Sequence, residues 1–254
     1  QTAFVKAHFP KHFYASWIKY SNERIKPQDE VKELVSDAKQ HDISINNPKL
    51  EYLEQSIDAS LISSEVYFGL ANIKGIGKSA IDKTLLAFKS AETLLNKEAI
   101  HFSWFELLHV VLTKITSTVV INMITLDIFK HLNITRKQML HEYSIWSELT
   151  DKEQLVGAQS IDLLSALLVI KTGKLSKKRL IIVDSLINLF NNPPAPLEDK
   201  IAWVCHKETA LLGVSTTYSQ LSGIDTLDSD TTCQEAVSGK TGTMIICVEI
   251  KSSR

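Results

Sequence analysis

Phe68-Gly69-Leu70-Ala71-Asn72-Ile73-Lys74-Gly75-Ile76-Gly77-Lys78-Ser79-Ala80-Ile81 is the stretch on which the reading turns. An apolar run leads into Gly75-Ile76-Gly77, and Ile81, Leu85 and Phe88 then recur at helical spacing. From Leu70 to Leu95 the pattern predicts helix, tight glycine turn, helix: a helix-hairpin-helix. Glycines adopt backbone conformations that a side chain forbids and let main chain come close to a phosphate. A helix starting at such a turn presents unbonded N–H groups and the positive end of its dipole to an anion. Lys74 and Lys78 flank the turn, and between Ile73 and Lys97 five lysines stand against Asp82 and Glu92. Lys74, Gly75, Ile76, Gly77, Lys78, Ser79 and Lys83 are therefore the candidates for gripping a nucleic-acid backbone, with Ile76 turned inward as an apolar plug. The competing reading of the same residues is a plain helix–helix turn with solvated lysines.

Working outward, the basic character is local. The 254 residues carry 28 Lys and Arg against 29 Asp and Glu, a net charge of −1, so no global field announces nucleic acid. Hydrophobic residues make up 44% and charged residues 22%, with only 9 glycines and 6 prolines, which points to a mainly α globular chain. Cys205, Cys233 and Cys247 show no CxxC spacing and no clustered histidines, so neither a disulfide framework nor a zinc site is expected, and a cytoplasmic location is. No apolar run reaches the roughly 18 residues of a membrane helix, and no membrane partner is expected.

Pro10 is expected to break residues 1–23 into two short helices, and Pro27 to open an amphipathic helix ending near His41. Residues 43–64 read as irregular, and Val66–Phe68 as a short strand. Beyond the glycine turn, helices are expected over 103–113, 118–129, 135–149, 153–171 and 176–190. Pro193, Pro194 and Pro196 form a boundary. A helix over 197–212 would start with Glu198 and Asp199 and end at Gly213. Residues 223–234 are polar and linker-like, and Thr243–Ile250 is a β-type run.

A resemblance supplies context. Residues 1–15, Gln-Thr-Ala-Phe-Val-Lys-Ala-His-Phe-Pro-Lys-His-Phe-Tyr-Ala, resemble the YQTAYLKAHYPxEFYAA stretch of the C-family bacterial replicative polymerases, the DNA polymerase III alpha subunits. Residues 66–77 resemble that family's FGLAAIKGVG run, Trp104–Arg136 its following helices, and Lys207–Gly213 its EKELLG. Gly239–Ile250 resembles the first strands of its oligonucleotide-binding (OB) domain. Thr125–Lys130 departs from the family's KAGAFD corner, and Ser215–Leu221 has lost its SxHPL ending. Divergence of this kind fits a phage or bacterial member.

The resemblance implies a division into residues 1–42 (end of a fingers-like region), 43–150 (helix-hairpin-helix domain), 151–222 (helical linker) and 223–254 (linker and start of an OB-fold). It implies a piece of a longer protein that grips duplex or primer-template DNA while the parent polymerises nucleotides with Mg²⁺. No catalytic or metal-binding residue is expected in this segment, because the carboxylates that hold Mg²⁺ precede it in the family. Partners would be the DNA, the palm and fingers of the polymerase, and single-stranded template. Lys174, Lys177, Lys178 and Arg179 offer a second, DNA-facing basic stripe, set against the commoner fate of a solvated face. A stand-alone helix-hairpin-helix accessory module is the alternative reading.

Overall fold

Proline and glycine chemistry sets most of the element boundaries in the computed structural model, which describes residues 2–21, 27–53, 58–59, 65–218 and 237–238. Helix α1 (Thr2–His8) ends before Pro10, which opens α2 (Pro10–Ser21), and Pro27 opens α3 (Pro27–Gln40). In both places proline occupies the first helical position, where its missing N–H costs nothing. Helix α2 buries Phe13, Tyr14, Ala15 and Ile18.

Residues 43–64, expected to be irregular, instead supply two strands of a small mixed sheet. Strand β1 (Ser44–Asn46) runs parallel to β3 (Glu65–Tyr67), and β2 (Asp58–Ala59) lies antiparallel on the other side of β3. Central Val66 is fully buried and Ile45 nearly so. These strands are too short to show the alternation that betrays a strand in sequence.

The body is helical, as expected. After the long α4 (Lys78–Leu95), helix α5 (Trp104–Glu106) starts from a Ser103–Glu106 capping box and continues as a π-helical turn over Leu107–Val111. Helix α6 (Ser117–Thr125) is buried along most of its length, and α7 (Arg136–Ser147) packs on it. The single helix expected over 153–171 is two, α8 (Asp151–Gly157) and α9 (Leu163–Lys171), because the Asp162 side chain accepts from the Ser165 N–H and starts a new helix. Helix α10 (Lys177–Asn191) is capped by Ser176. Helix α11 (Ile201–Leu212) ends at Gly213 with φ +83°, the left-handed cap that favours glycine.

One expected cap works elsewhere. Asp199 accepts from the backbone N–H groups of Arg136 (2.9 Å) and Lys137 (3.1 Å), so it closes the N-terminus of α7 rather than that of α11. Together with the Thr135 hydroxyl, which donates to the Leu197 carbonyl at 2.5 Å, it ties the chain before α11 to α7. A continuous apolar core runs from Phe13 to Leu212, with Tyr14, Phe68, Phe102, Phe129 and Trp146 its largest fully buried side chains. No described helix is long and apolar enough to cross a membrane. Thr243–Ile250, read as a β-run and the entry to an OB-fold, lies outside the described residues.

Candidate nucleic-acid interface

The glycine turn begins where β3 leaves the sheet. Gly69 donates its N–H to the Asn72 side chain at 3.0 Å, closing a single 3-10 turn over Leu70–Asn72. The first helix expected for the hairpin is thus one tight turn, and only the second, α4, is a long helix of 18 residues. Leu70 and Ile73 are buried and hold this turn against the core.

The two glycines do different jobs. Gly75 sits at φ +83° with nothing within 4 Å of where a Cβ would stand. It supplies the left-handed conformation that lets the chain reverse. Gly77 sits at φ −88°, ψ 163°, an extended conformation open to any residue, and is the N-cap of α4. Space around it is also open, so its lack of a side chain leaves the helix end uncovered. Between them Ile76 is buried, 8% exposed, as the expected plug.

The N-terminus of α4 has no side-chain cap and no acidic residue in its first turn. The backbone N–H groups of Gly75, Gly77, Lys78 and Ser79 have no acceptor among the described residues. Lys74, Lys78, Ser79 and Lys83 are all exposed around this opening. The arrangement is a cradle of free donors at the positive end of a helix dipole with exposed cations at its rim, suited to a phosphate. Lys97 does not belong to it, since its ammonium is held 2.7 Å from Glu106.

The cradle is braced from behind. The Lys74 N–H donates to the Leu211 carbonyl at 2.9 Å, tying the turn to the last turn of α11. One turn earlier on α11, fully buried Glu208 accepts from Arg136 Nη1 (2.9 Å), Asn47 Nδ2 (2.7 Å), the Ser215 hydroxyl (3.1 Å) and the Thr216 and Thr217 N–H groups (3.0 Å each). Burial pushes the Glu208 carboxyl up, but the hydrogen bonds from Thr217 and Asn47 and the Arg136 charge outweigh it, and its pKa lies below the ordinary value. Arg136 also donates to the Thr125 carbonyl at 2.9 Å and lies 3.6 Å from Asp127. This network escaped the sequence reading. Its signal is a glutamate on the buried stripe of α11, in register with Val204, Cys205 and Leu212.

The second expected stripe is divided by the fold. Lys174, Lys177 and Lys178 are exposed, whereas the Arg179 guanidinium turns inward. Its Nε and Nη2 donate to the two carboxylate oxygens of Glu153 at 2.7 and 2.6 Å, and Nη2 also to the Glu148 carbonyl at 2.8 Å. The pairing with Arg179 holds the Glu153 carboxyl down at about 2. Among the described residues no group of three or more histidine, cysteine, aspartate and glutamate side chains is placed to hold a metal ion.

About a third of the chain is similar to DNA polymerase III alpha. The subunit of that name from Deinococcus radiodurans is 38% identical over 85 residues, which is 34% of this chain and 6% of that protein. The one from Thermus aquaticus is 31% identical over 80 residues, 32% of this chain and again 6% of the relative. The match thus spans a small fraction of the length of each relative. No family model matches the chain.

Proposed function

We propose that the chain is a DNA-gripping portion of a DNA polymerase III alpha-like protein, holding the primer-template backbone during template-directed synthesis without doing the chemistry itself. The observation that carries the reading is the uncapped N-terminus of α4 behind Gly75-Ile76-Gly77, with free N–H groups and Lys74, Lys78 and Lys83 around it. The similarity to the two polymerase subunits supports the context. Contacts of this kind reach phosphates and read no base, so the ligand is duplex or primer-template DNA of any sequence. Nucleotidyl transfer and its Mg²⁺ belong to the parent polymerase, whose palm and fingers are the natural neighbours of this segment. The hairpin would be a shortened helix-hairpin-helix, with the 3-10 turn Leu70–Asn72 standing in for the first helix. Residues 223–254, whose sequence resembles the start of an OB domain, would meet single-stranded template.

Fluorescence anisotropy with labelled primer-template duplexes of two unrelated sequences tests this. Equal affinity for both, falling linearly on a log–log plot against salt, is the expected result. Absence of binding at low salt, or affinity that depends on sequence and not on salt, overturns it.

A further inference from the structure

Beside the lysines at the α9–α10 turn lies an aliphatic surface that the described fold leaves uncovered. Leu168 and Val169 on α9 are 48% and 45% exposed, and Ile181 and Ile182 on α10 are 67% and 42% exposed. Lys171 Nζ reaches Asp184 Oδ1 at 2.7 Å, bridging the two helices on their outer side. Leu168 stands one turn before Lys171 and Ile181 one turn before Asp184, so this ion pair places both aliphatic side chains on the same outer face. Helix α8 packs along α9, its Gly157 against Ala166 and Ile170, and turns Leu155 and Val156 out to solvent. Single exposed aliphatic residues are routine, but a cluster carried by two packed helices marks an interaction surface. At the end of α9 where this cluster meets the turn stand Lys174, Lys177 and Lys178, exposed and with no ion-pair or hydrogen-bond partner among the described residues.

We propose that this face docks an amphipathic protein segment whose aliphatic anchors are flanked by carboxylates. The charge is complementary: three lysines without counter-ions border the apolar surface, and acidic residues on the partner would supply them. Nucleic acid fits less well, because aliphatic side chains offer no stacking platform to bases. Arg179, the one cation here whose planar fork suits phosphate, is also committed to Glu153. A lipid surface fits less well, because the Lys171–Asp184 pair lies within the patch and its charges would have to enter the apolar layer of the membrane. The proposal stands independently of the DNA-gripping reading, which rests on the N-terminus of α4.

The probe is a fluorescent synthetic helix with leucines at heptad spacing flanked by glutamates, titrated with the 254-residue chain beside the same helix carrying lysines for glutamates. The glutamate helix is expected to bind roughly tenfold tighter than the lysine helix. Ile181→Glu should weaken that binding by roughly tenfold, and the Lys177→Glu/Lys178→Glu double variant should reverse the preference in favour of the lysine helix. All three positions are exposed, and circular dichroism verifies that the variants fold. No binding of the glutamate helix, or binding that ignores both variants, overturns the proposal. Loss of duplex DNA binding in the double variant with helix binding unchanged overturns it in favour of nucleic acid. Loss of binding to phosphatidylserine vesicles in both variants with helix binding unchanged overturns it in favour of a lipid surface.

Discussion

Arg136 Nη1 lies 2.9 Å from Glu208 Oε1, with the arginine side chain 3% exposed and the glutamate 0%. The pair joins α7 to α11 beneath the Gly75–Gly77 turn, because Leu211, one turn after Glu208, receives the Lys74 N–H. A buried pair of this kind adds little net stability over an apolar substitute, since both charges have been taken out of water. Removing one partner is another matter, because the survivor stays buried and uncompensated.

Glu208→Gln should therefore cost about 3–5 kcal/mol in urea unfolding, and Arg136→Met a similar amount. The double variant Arg136→Met/Glu208→Gln should lose clearly less than the sum of the singles, the mark of direct coupling. Additive losses would mean that the surrounding Ser215, Thr216, Thr217 and Asn47 bonds, not the charge pair, hold this site.

The turn's two glycines should separate stability from binding. Gly75→Ala forces a side chain into φ +83° and should destabilise by about 1 kcal/mol. Gly77→Ala meets no strain at φ −88° and no neighbour within 4 Å, so it should lose only about 0.5 kcal/mol, the amount by which alanine is a poorer N-cap than glycine. Its methyl group stands at the mouth of the N–H cradle, and its main effect should appear in DNA affinity. A thermal melt and an anisotropy titration on each variant make the comparison. Equal melting temperatures for both variants would show that the turn tolerates Gly75→Ala by a different backbone path.

The Glu153–Arg179 pair makes a pH prediction. The guanidinium of Arg179, and the Thr150 N–H behind it, hold the Glu153 carboxyl at about 2 instead of its ordinary 4.5. A depressed carboxylate stabilises the fold fully above its unfolded value and loses that contribution as pH falls towards the folded one. The melting-temperature gap between the parent and Glu153→Gln should be constant above pH 4.5 and narrow as pH drops to about 2. Glu208 titrates alike in both proteins, so it cancels. Parallel curves throughout the acid range would show that the pair contributes nothing.

Backbone chemistry was legible in the sequence, and long-range pairing was not. Pro10, Pro27, Gly75 and Gly213 each act within one or two residues of themselves, so the bends and ends they impose could be read locally. Asp199 was legible as a cap but not as the cap of α7, because nothing local records which helix end lies across from it. Strands β1 and β2 gave no pattern, being three and two residues long. In the candidate interface, composition near the turn points to Lys74, Lys78 and Lys83 as candidates, and all three are exposed. The division of labour between Gly75 and Gly77 needed their φ angles, and the inward turn of Arg179 needed Glu153, which is on another helix.

Lys78 offers the sharpest test of the cradle. It is the first residue of α4, exposed, with no acidic neighbour in the first helical turn to neutralise it. A lysine that contacts one phosphate displaces about one counterion, so it sets about 0.9 of the log–log salt slope and little of the sequence preference. Lys78→Ala should lower that slope by about 1 and weaken primer-template binding equally for every sequence. Ile76→Ala, which empties the buried side of the same turn, should instead cost about 2–4 kcal/mol of stability and leave the slope unchanged at temperatures where the variant stays folded. The two variants thus distinguish a cation at the DNA from a plug in the core. If folded Lys78→Ala keeps the parent's slope at every salt concentration, the phosphate is held elsewhere and the open end of α4 is a structural turn.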